Sequence, residues 1–284
     1  MVCCIQYSSS LWNTKLMTSS AVGKTTISIL GSGWLGLPLA QMFSNLGHTI
    51  KLSTRTDTKF AEINSIHCEP YLVDIDTHTI DPSFLAANIM IINITSKNYE
   101  AFKLLVKQIE KSPIRHVLFI SSTSVYKNTQ SWVTESSQSE LPESKLFQIE
   151  QLFNANNTFD STILRLSGLI GYQRHPGRFF KQGKLVTSPD APVNLIHRDD
   201  CIAIIKAIIR KCAWGEVFNA CADNHPSKKQ FYSHARSLLG EEAPSFSDSG
   251  ESHYKIVSND KIKQQLNYQF IYPDLCLLYT SDAA

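Results

Sequence analysis

The sequence predicts an α/β fold: a Rossmann-type, doubly wound parallel sheet with a small interleaved C-terminal lobe. Two observations lead to this prediction. A glycine-rich turn at residues 31–36 follows a short apolar run and precedes an amphipathic stretch. After it, apolar runs of strand length alternate with helical patterns of about 10 to 15 residues, which is typical of βαβ units.

Hydrophobic periodicity predicts the elements of the first part of the chain in order. Apolar or alternating runs predict strands at 27–30, 49–53, 71–73, 88–94, 117–121 and 161–166. Apolar residues at helical spacing predict helices at 35–46, 99–111 and 143–153. Gly47 is expected to end the first of these helices. Because strands joined through helices run parallel, these elements predict one parallel sheet.

After Gly168 the periodicity weakens, and a loop rich in Arg, Gly and Pro leads to the remaining elements. Strands are expected at 193–196 and 217–220, and helices at 200–211 and 225–240. We therefore predict a nucleotide-binding domain at 25–172. The substrate lobe is predicted at 173–274, interleaved with the late strands of the sheet.

The two ends of the chain are not expected to belong to either unit. Residues 1–24 are rich in Ser and Thr and lack periodicity, which predicts a disordered tail. Residues 275–284 resemble translated sequencing-adapter read-through, so we expect them to be non-native sequence.

Composition excludes several classes of protein. The formal charge is +2 with no dense stripe of Lys and Arg, which disfavours nucleic-acid binding. No apolar run approaches the roughly 20 residues of a membrane helix. The odd number of cysteines, without a C-x-x-C pair, predicts reduced thiols in a cytoplasmic protein and no metal site. We expect a small-molecule substrate and a monomer or homodimer.

The turn Gly31-Ser-Gly33-Trp34-Leu35-Gly36 fits the pattern G-x-G-x-x-G between a strand and a helix. The first glycine permits the tight turn, and the second lets the backbone approach a pyrophosphate. The third lets helix and strand pack closely, while the helix N-terminus favours the anion. Gly31, Gly33, Trp34, Leu35 and Gly36 are therefore predicted to bind a dinucleotide.

The end of the second predicted strand indicates which dinucleotide is bound. NAD enzymes carry Asp or Glu there, whereas this chain reads Ser-Thr-Arg55-Thr, with no carboxylate before Asp57. An arginine with small hydroxyl residues suits a 2′-phosphate, so NADP is favoured and NAD is the alternative. Asp74, which closes the third strand, is predicted either to reach the adenine or to cap its turn.

Several segments then resemble one superfamily. With the glycine turn, Phe119-Ile-Ser-Ser-Thr-Ser-Val-Tyr126 and Asn194-Leu-Ile-His-Arg-Asp-Asp200 resemble the extended and atypical short-chain dehydrogenase/reductases, which include the NAD-dependent sugar epimerases and dehydratases. Arg174-His-Pro-Gly-Arg-Phe-Phe180 and Asn219-Ala-Cys-Ala-Asp-Asn-His-Pro226 look like its YeeZ-like bacterial subgroup. The likeness spans about residues 26–240.

The resemblance implies catalytic residues. Ser122, four residues before the tyrosine of Val-Tyr126, is expected to bind the substrate oxygen. A Tyr-x-x-x-Lys pair transfers the proton in this family, and its best counterpart is Leu141-Pro-Glu-Ser-Lys145, which has leucine for tyrosine. Lys145 is then expected to bond the cofactor ribose, or else to be a surface lysine.

The missing tyrosine leaves three alternatives open. Tyr126 or His197 replaces it as the acid, although each is also typical of a packing or structural hydrogen-bonding residue. The second alternative is that the protein binds a dinucleotide but catalyses no reaction. The third is that the Leu141 loop is aligned with the family motif in the wrong register.

Substrate residues are predicted in the loop after the strand at 161–166. Arg174 and Arg178 place two cations and His175 around a Pro-Gly turn, where open α/β sheets bind ligands. These residues are predicted to bind a phosphate or carboxylate, with solvated loop charges as the alternative. Asn194, which opens one of the resembling segments, is predicted to bind substrate as well.

The leading hypothesis is an NAD(P)-binding oxidoreductase or epimerase-like enzyme acting on a small carbonyl or sugar substrate, anionic if the arginines bind it. The runner-up is a catalytically silent NAD(P)-binding sensor or regulatory protein. A third hypothesis, a hydroxy-acid dehydrogenase, requires an all-helical second half, and the strands predicted near 193 and 217 disfavour it.

Overall fold

The computed structural model describes residues 23–77, 80–180, 185–247 and 253–277. Its strands are β1 (Thr26–Leu30), β2 (Thr49–Thr54), β3 (Glu69–Leu72), β4 (Ile89–Ile92), β5 (His116–Ser122), β6 (Trp132–Val133), β7 (Asp160–Leu166), β8 (Gly168–Ile170), β9 (Val186–Thr187), β10 (Leu195–His197), β11 (Val217–Ala220), β12 (Phe246–Ser247) and β13 (Ile256–Val257). Its α-helices are α1 (Gly36–Asn45), α2 (Phe60–Ser65), α3 (Pro82–Leu85), α4 (Tyr99–Glu110), α5 (Lys145–Asn154), α6 (Arg198–Lys211), α7 (Lys228–Ser237) and α8 (Asp260–Leu266).

Seven strands form one sheet in the order β11-β7-β5-β4-β1-β2-β3. Every neighbouring pair in it runs parallel. The chain order reverses between β1 and β4, and a crevice forms at such a switch point beside the carboxyl ends of the strands. The predicted Rossmann-type sheet is therefore confirmed, and the helical second half of a hydroxy-acid dehydrogenase is not observed in the described residues.

Both faces of the sheet are covered, which explains why its strands read as nearly continuous apolar runs. Along β5, Leu118 and Ile120 belong to the core that contains α1 and α6. Val117 and Phe119 point to the other side, into the core that contains α4 and α5. There the ring of Phe102 packs edge-on against Phe119 with centroids 5.7 Å apart.

Most predicted elements are present within a few residues of the expected bounds. The helix predicted from residue 225 was placed too early, because Ser227 caps it by accepting a hydrogen bond from Gln230 N at 3.2 Å. Helices α2, α3 and α8 were not predicted from the sequence. These helices have only four to seven residues, too few to show a periodicity.

Among the described residues, three two-stranded parallel pairs lie outside the seven-stranded sheet, β8 with β10, β9 with β12, and β6 with β13. A small core joins Ile170, Val193, Phe231 and Leu275. From β10 the chain continues through α6 to β11, the edge strand of the main sheet. Most of both predicted tails, residues 1–22 and 278–284, lies outside the described residues, and the domain limits stay a prediction.

None of the helices in the described ranges has the length and apolar character needed to cross a membrane.

Candidate functional site

A cleft of about 500 Å³ opens at the carboxyl ends of β1, β2, β3 and β4. We call it the switch-point cleft. Its walls are residues 30–33, 53–56, 73–76 and 93–96, together with Lys59. Open α/β sheets bind their ligands at this position. The structure thus brings Gly31, Gly33, Arg55 and Asp74, all predicted cofactor residues, to one cavity.

The three glycines of the turn differ in their surroundings. Gly31 has φ of +109°, and a Cβ there would lie 2.5 Å from the Asn93 carbonyl oxygen. A Cβ at Gly36 would lie 1.9 Å from the Gly31 carbonyl oxygen. At Gly33, by contrast, no heavy atom of the described residues lies within 4 Å of a Cβ. The first and third glycines are required by the fold, and the second is open to a ligand.

The glycine turn is held in place by neighbouring side chains. Gly31 N donates to Ser53 Oγ at 2.8 Å, and Lys59 Nζ donates to the Ser32 carbonyl at 3.2 Å. Leu35 precedes α1, whose first turn has neither a capping side chain nor an acidic residue among those described. Its N-terminal amides and dipole therefore remain for an anion, and the residues fit a pyrophosphate.

The end of β2 carries positive charge into the cleft. Ser53 and Thr54 are buried, whereas Arg55 is exposed at the cavity and Lys59 lies one turn further on. Sequence reasoning missed Lys59, whose only signal was a basic residue close after Arg55. Asp74 Oδ1 accepts a hydrogen bond from Asp76 N at 3.0 Å, so its carboxylate caps this turn as well as lining the cleft.

Ser122 ends β5 and begins a 3₁₀ turn. Its Oγ accepts a hydrogen bond from Ser124 N at 3.1 Å, and the side chain is half-buried. Leu141 N donates to the Val125 carbonyl at 2.8 Å, so the Leu141 segment lies beside this turn. The alignment that places leucine at the expected tyrosine stays a prediction. Lys145 is exposed at the first position of α5.

Tyr126 does not face solvent. Its side chain is 1% exposed, its hydroxyl donates to Asn219 Oδ1 at 2.9 Å, and it accepts from Arg165 Nη1 at 2.6 Å. Burial raises the pKa of the phenol to about 12. Burial and bonding both argue against Tyr126 as the proton donor and favour its packing role.

Arg165 is the centre of a buried network that sequence reasoning missed. Its guanidinium forms ion pairs with Glu150 at 2.7 Å and Glu140 at 2.6 Å. Ser121, its register partner on β5, also donates to Glu150, while Asn219 is its register partner on β11. Hydrogen bonds and ion pairs thus connect side chains on β5, β7 and β11 with α5.

His197 is a buried residue at the start of α6. Its Nδ1 accepts a hydrogen bond from Asp199 N at 3.2 Å, which caps the helix. The ring packs on Tyr272 with centroids 4.1 Å apart, and a Cβ at Gly171 would lie 2.4 Å from its Nε2. Burial lowers the pKa of the imidazole. This environment favours the structural role over an acid.

The predicted substrate loop is packed against α7. His175 Nδ1 accepts from Gly177 N at 3.1 Å, and burial lowers the pKa of this histidine. Arg236 of α7 donates to the Phe180 carbonyl at 3.0 Å, while Arg178 is exposed. Residues 181–184 lie outside the described residues.

Asn194 uses its side chain to anchor the chain near β13. Its Nδ2 donates to the Lys255 carbonyl at 2.9 Å, and its Oδ1 accepts from Val257 N at 2.8 Å. These bonds give Asn194 a structural role, and its predicted contact with substrate stays a prediction.

Arg174 and Trp34 come together at the glycine turn. The Arg174 Cζ lies 4.4 Å from the centroid of the Trp34 ring, and the Arg198 Cζ lies 5.0 Å from it. Arg198 was not predicted from the sequence. The sequence holds one indication of its role. Arg198 stands at the N-terminus of a predicted helix, where a cation is unusual because it opposes the helix dipole.

No model of a known protein family matches the chain. The chain is 32% identical over 267 residues to Protein YeeZ of Escherichia coli (strain K12), covering 87% of this chain and 96% of that protein.

Solved structures share the fold. One is a functionally unknown conserved protein from Silicibacter pomeroyi DSS, with a TM-score of 0.79 and 22% identity, covering 92% of this chain and 99% of that chain. Another is the UDP-glucuronic acid 4-epimerase from Bacillus cereus in complex with UDP-glucuronic acid and NAD, with a TM-score of 0.74 and 20% identity, covering 91% and 98%.

Proposed function

Because the chain belongs to the family of Escherichia coli Protein YeeZ and has a Rossmann fold shared with an NAD-bound epimerase, we propose that it binds a nicotinamide dinucleotide, NADP in preference to NAD. We propose further that it acts as an oxidoreductase or epimerase-like enzyme on a small carbonyl or sugar substrate.

One observation carries the proposal. The switch-point cleft exposes the backbone of Gly33 beside an uncapped helix N-terminus, with Arg55 and Lys59 on the same wall. Backbone amides, a helix dipole and two cations together suit a molecule with several phosphate groups.

The charge at the end of β2 supports the preference for NADP. No carboxylate stands at residues 53–56 to bond a ribose 2′-hydroxyl, and Arg55 and Lys59 supply donors for a 2′-phosphate. A charge-assisted hydrogen bond contributes about 1.5–3 kcal/mol. This energy corresponds to a preference on the order of tenfold to a hundredfold.

Ser122 and Lys145 are the residues that we propose take part in the reaction. A bound nicotinamide dinucleotide supplies hydride transfer. The Ser122 hydroxyl accepts from Ser124 N, which leaves its own hydrogen for a substrate oxygen. Lys145 retains the lysine of the Tyr-x-x-x-Lys pair, and we propose that it holds the ribose. Arg174, His175, Arg178 and Asn194 are proposed to bind the substrate.

A silent NAD(P)-binding sensor is the second candidate. Leu141 cannot transfer a proton, and the phenol of Tyr126 and the imidazole of His197 are both engaged in buried structural contacts. If none of the described residues supplies the proton, dinucleotide binding without turnover is the expected behaviour.

Calorimetric titration with NADPH and NADH, followed by turnover assays on a panel of carbonyl and sugar substrates, tests the proposal. We expect NADPH to bind more tightly, and Ser122→Ala to abolish turnover while leaving dinucleotide affinity unchanged. Ser124→Ala is the matched control, because it keeps the backbone amide that bonds Ser122.

The outcomes separate the candidates. Dinucleotide binding without turnover on any substrate selects the sensor. Failure of both dinucleotides to bind at millimolar concentration overturns the proposed function altogether.

A further inference from the structure

We propose that Arg174 and Arg198, held against Trp34 beside the glycine turn, form a side-chain binding site for a diphosphate or phosphate group. The inference deepens the proposed function and rests on it. We call Trp34, Tyr172, Arg174 and Arg198 the Trp34 cluster. The sequence predicted Trp34 as a cofactor residue and Arg174 as a substrate residue, but the structure places both in this cluster with an arginine that was not predicted.

The cluster is built from contacts between the two halves of the chain. Trp34 belongs to the glycine turn, whereas Tyr172, Arg174 and Arg198 follow β7. The Arg198 Cζ lies 5.0 Å from the Trp34 ring centroid and 3.8 Å from that of Tyr172. Arg198 Nη1 also donates to the Trp34 carbonyl at 3.4 Å. The aromatic faces therefore fix one guanidinium at the start of α1 and bring the second, Arg174, to the same indole.

The charge of the cluster is not balanced. In the described ranges, neither Arg174 nor Arg198 forms an ion pair with a carboxylate. The nearby carboxylate of Asp199 accepts from the Tyr172 hydroxyl at 2.9 Å instead. Arg198 also stands at the N-terminus of α6, where a cation is unfavourable. A cation that lowers the stability of its own helix is typical of a ligand-binding residue rather than of a stabilising one.

Unused hydrogen-bond donors support the same conclusion. Arg198 Nε and Trp34 Nε1 are buried, and neither has a hydrogen-bond partner among the described residues. Buried donors in native proteins normally have an acceptor. Arg174 is exposed and presents its guanidinium to solvent, so a ligand with several anionic oxygens balances the positive charge that the two arginines bring to the cluster.

Two molecules carry an anionic group that suits the Trp34 cluster. The diphosphate of the dinucleotide is one, because Trp34 lies in the turn that is proposed to hold it. A phosphate on the substrate is the other, because Arg174 lies in the predicted substrate loop. Inorganic pyrophosphate has the shared chemistry and is the probe.

The test compares Arg198→Gln with Arg210→Gln, an exposed arginine at the far end of α6. Calorimetry measures the affinity for pyrophosphate and, separately, for NADPH. We expect Arg198→Gln to weaken pyrophosphate binding by about tenfold or more, since a charge-assisted hydrogen bond is lost, and Arg210→Gln to leave it unchanged. Thermal unfolding of both variants checks that the fold is intact.

A fluorescence measurement locates the bound anion. Pyrophosphate should quench the emission of wild-type protein, and Trp34→Phe should remove that quenching while calorimetric affinity is largely kept, because phenylalanine retains an aromatic face.

The outcomes distinguish the sources. Loss of both pyrophosphate and NADPH affinity in Arg198→Gln assigns the cluster to the cofactor diphosphate. Loss of pyrophosphate affinity alone, with pyrophosphate still binding to NADPH-saturated protein, assigns it to a substrate phosphate. Unchanged pyrophosphate affinity, or no binding to wild type, overturns the inference. NADPH binding by wild type decides the proposed function separately.

Discussion

The phenol oxygen of Tyr126 accepts a hydrogen bond from Arg165 Nη1 at 2.6 Å, inside the sheet domain. The same hydroxyl donates to Asn219 Oδ1 at 2.9 Å. Tyr126, one of the two residues considered as a replacement for the missing catalytic tyrosine, is therefore a buried link between the Ser122 turn and strands β7 and β11.

Tyr126→Phe is expected to destabilise the protein without changing its binding properties. Loss of the hydroxyl leaves Asn219 Oδ1 without its donor, which costs about 1–3 kcal/mol of unfolding free energy. Urea unfolding measures this cost, and calorimetry with NADPH should give an unchanged affinity. Lost turnover at unchanged stability would instead identify Tyr126 as the proton donor.

Glu150→Gln should have a larger effect on stability. Glu150 is 0% exposed and pairs with the guanidinium of Arg165 through both carboxylate oxygens. The substitution removes one of the two carboxylates that pair with the buried Arg165 guanidinium. Breaking a buried ion pair lowers the unfolding free energy by about 3–5 kcal/mol. Thermal unfolding measures the loss. The exposed Glu143→Gln is the matched control, and equal melting temperatures for the two variants would contradict this account of the network.

The sequence predicted the features that depend on local pattern. Buried strands such as β4 are continuous apolar runs, and the glycine turn has a fixed spacing, so both are visible in neighbouring residues. The ion pair of Arg165 with Glu150 and the contact of Arg198 with Trp34 join residues far apart in the chain. Their partners follow from strand order and register, which periodicity does not specify.

The same limit applied to the candidate catalytic residues. Tyr126 and His197 were considered as replacements for the missing tyrosine from their residue type and position in the sequence alone. Their exposure depends on the side chains packed around them, such as Tyr272 against His197. Lys59 was missed for a related reason, because it enters the cleft only through a short helical turn after β2.

Two alanine substitutions in the glycine turn should differ in their effect on stability. In Gly36→Ala the new Cβ meets the Gly31 carbonyl oxygen at 1.9 Å, a backbone clash that lowers the unfolding free energy by about 1–3 kcal/mol or more. In Gly33→Ala the new Cβ meets no described atom within 4 Å, so stability should change by only about 0.5 kcal/mol.

Dinucleotide affinity provides the second readout for this pair. The Gly33→Ala methyl group occupies the space that lets a pyrophosphate approach the backbone, so NADPH binding should weaken although the fold is intact. Chemical denaturation and calorimetry measure the two effects. Unchanged NADPH affinity in Gly33→Ala would show that the dinucleotide does not lie over this turn.

Stability is expected to fall on mild acidification, in part through His197. Burial holds its pKa below the ordinary value of 6.5, so the unfolded chain binds more protons as the pH drops below that value. The contribution of His197 is complete above pH 6.5 and is lost as the pH falls through the folded pKa. Burial also lowers the pKa of four other histidines, His48, His116, His175 and His225.

His197→Asn isolates this contribution, because asparagine retains the ability to cap α6 but does not titrate. The difference in melting temperature between pH 7.5 and pH 5.5, about one pH unit either side of the ordinary histidine pKa, should be smaller in the variant than in wild type. The comparison uses the difference, since loss of ring packing lowers both melting temperatures. An equal difference would show that His197 does not titrate in this range.

Arg55→Gln should reduce the preference for NADP. Arg55 lines the cleft after β2, and none of residues 53–56 is a carboxylate that bonds a ribose 2′-hydroxyl. Loss of one charge-assisted hydrogen bond to a 2′-phosphate weakens NADPH binding by about tenfold or more, whereas NADH has no such group and should bind as before. Calorimetry with both dinucleotides gives the ratio. Because Lys59 lies at the same wall, Arg55→Gln together with Lys59→Gln should bring the two affinities close to each other. A fall in NADH affinity equal to that of NADPH would mean that these cations bind the diphosphate instead and do not select the cofactor.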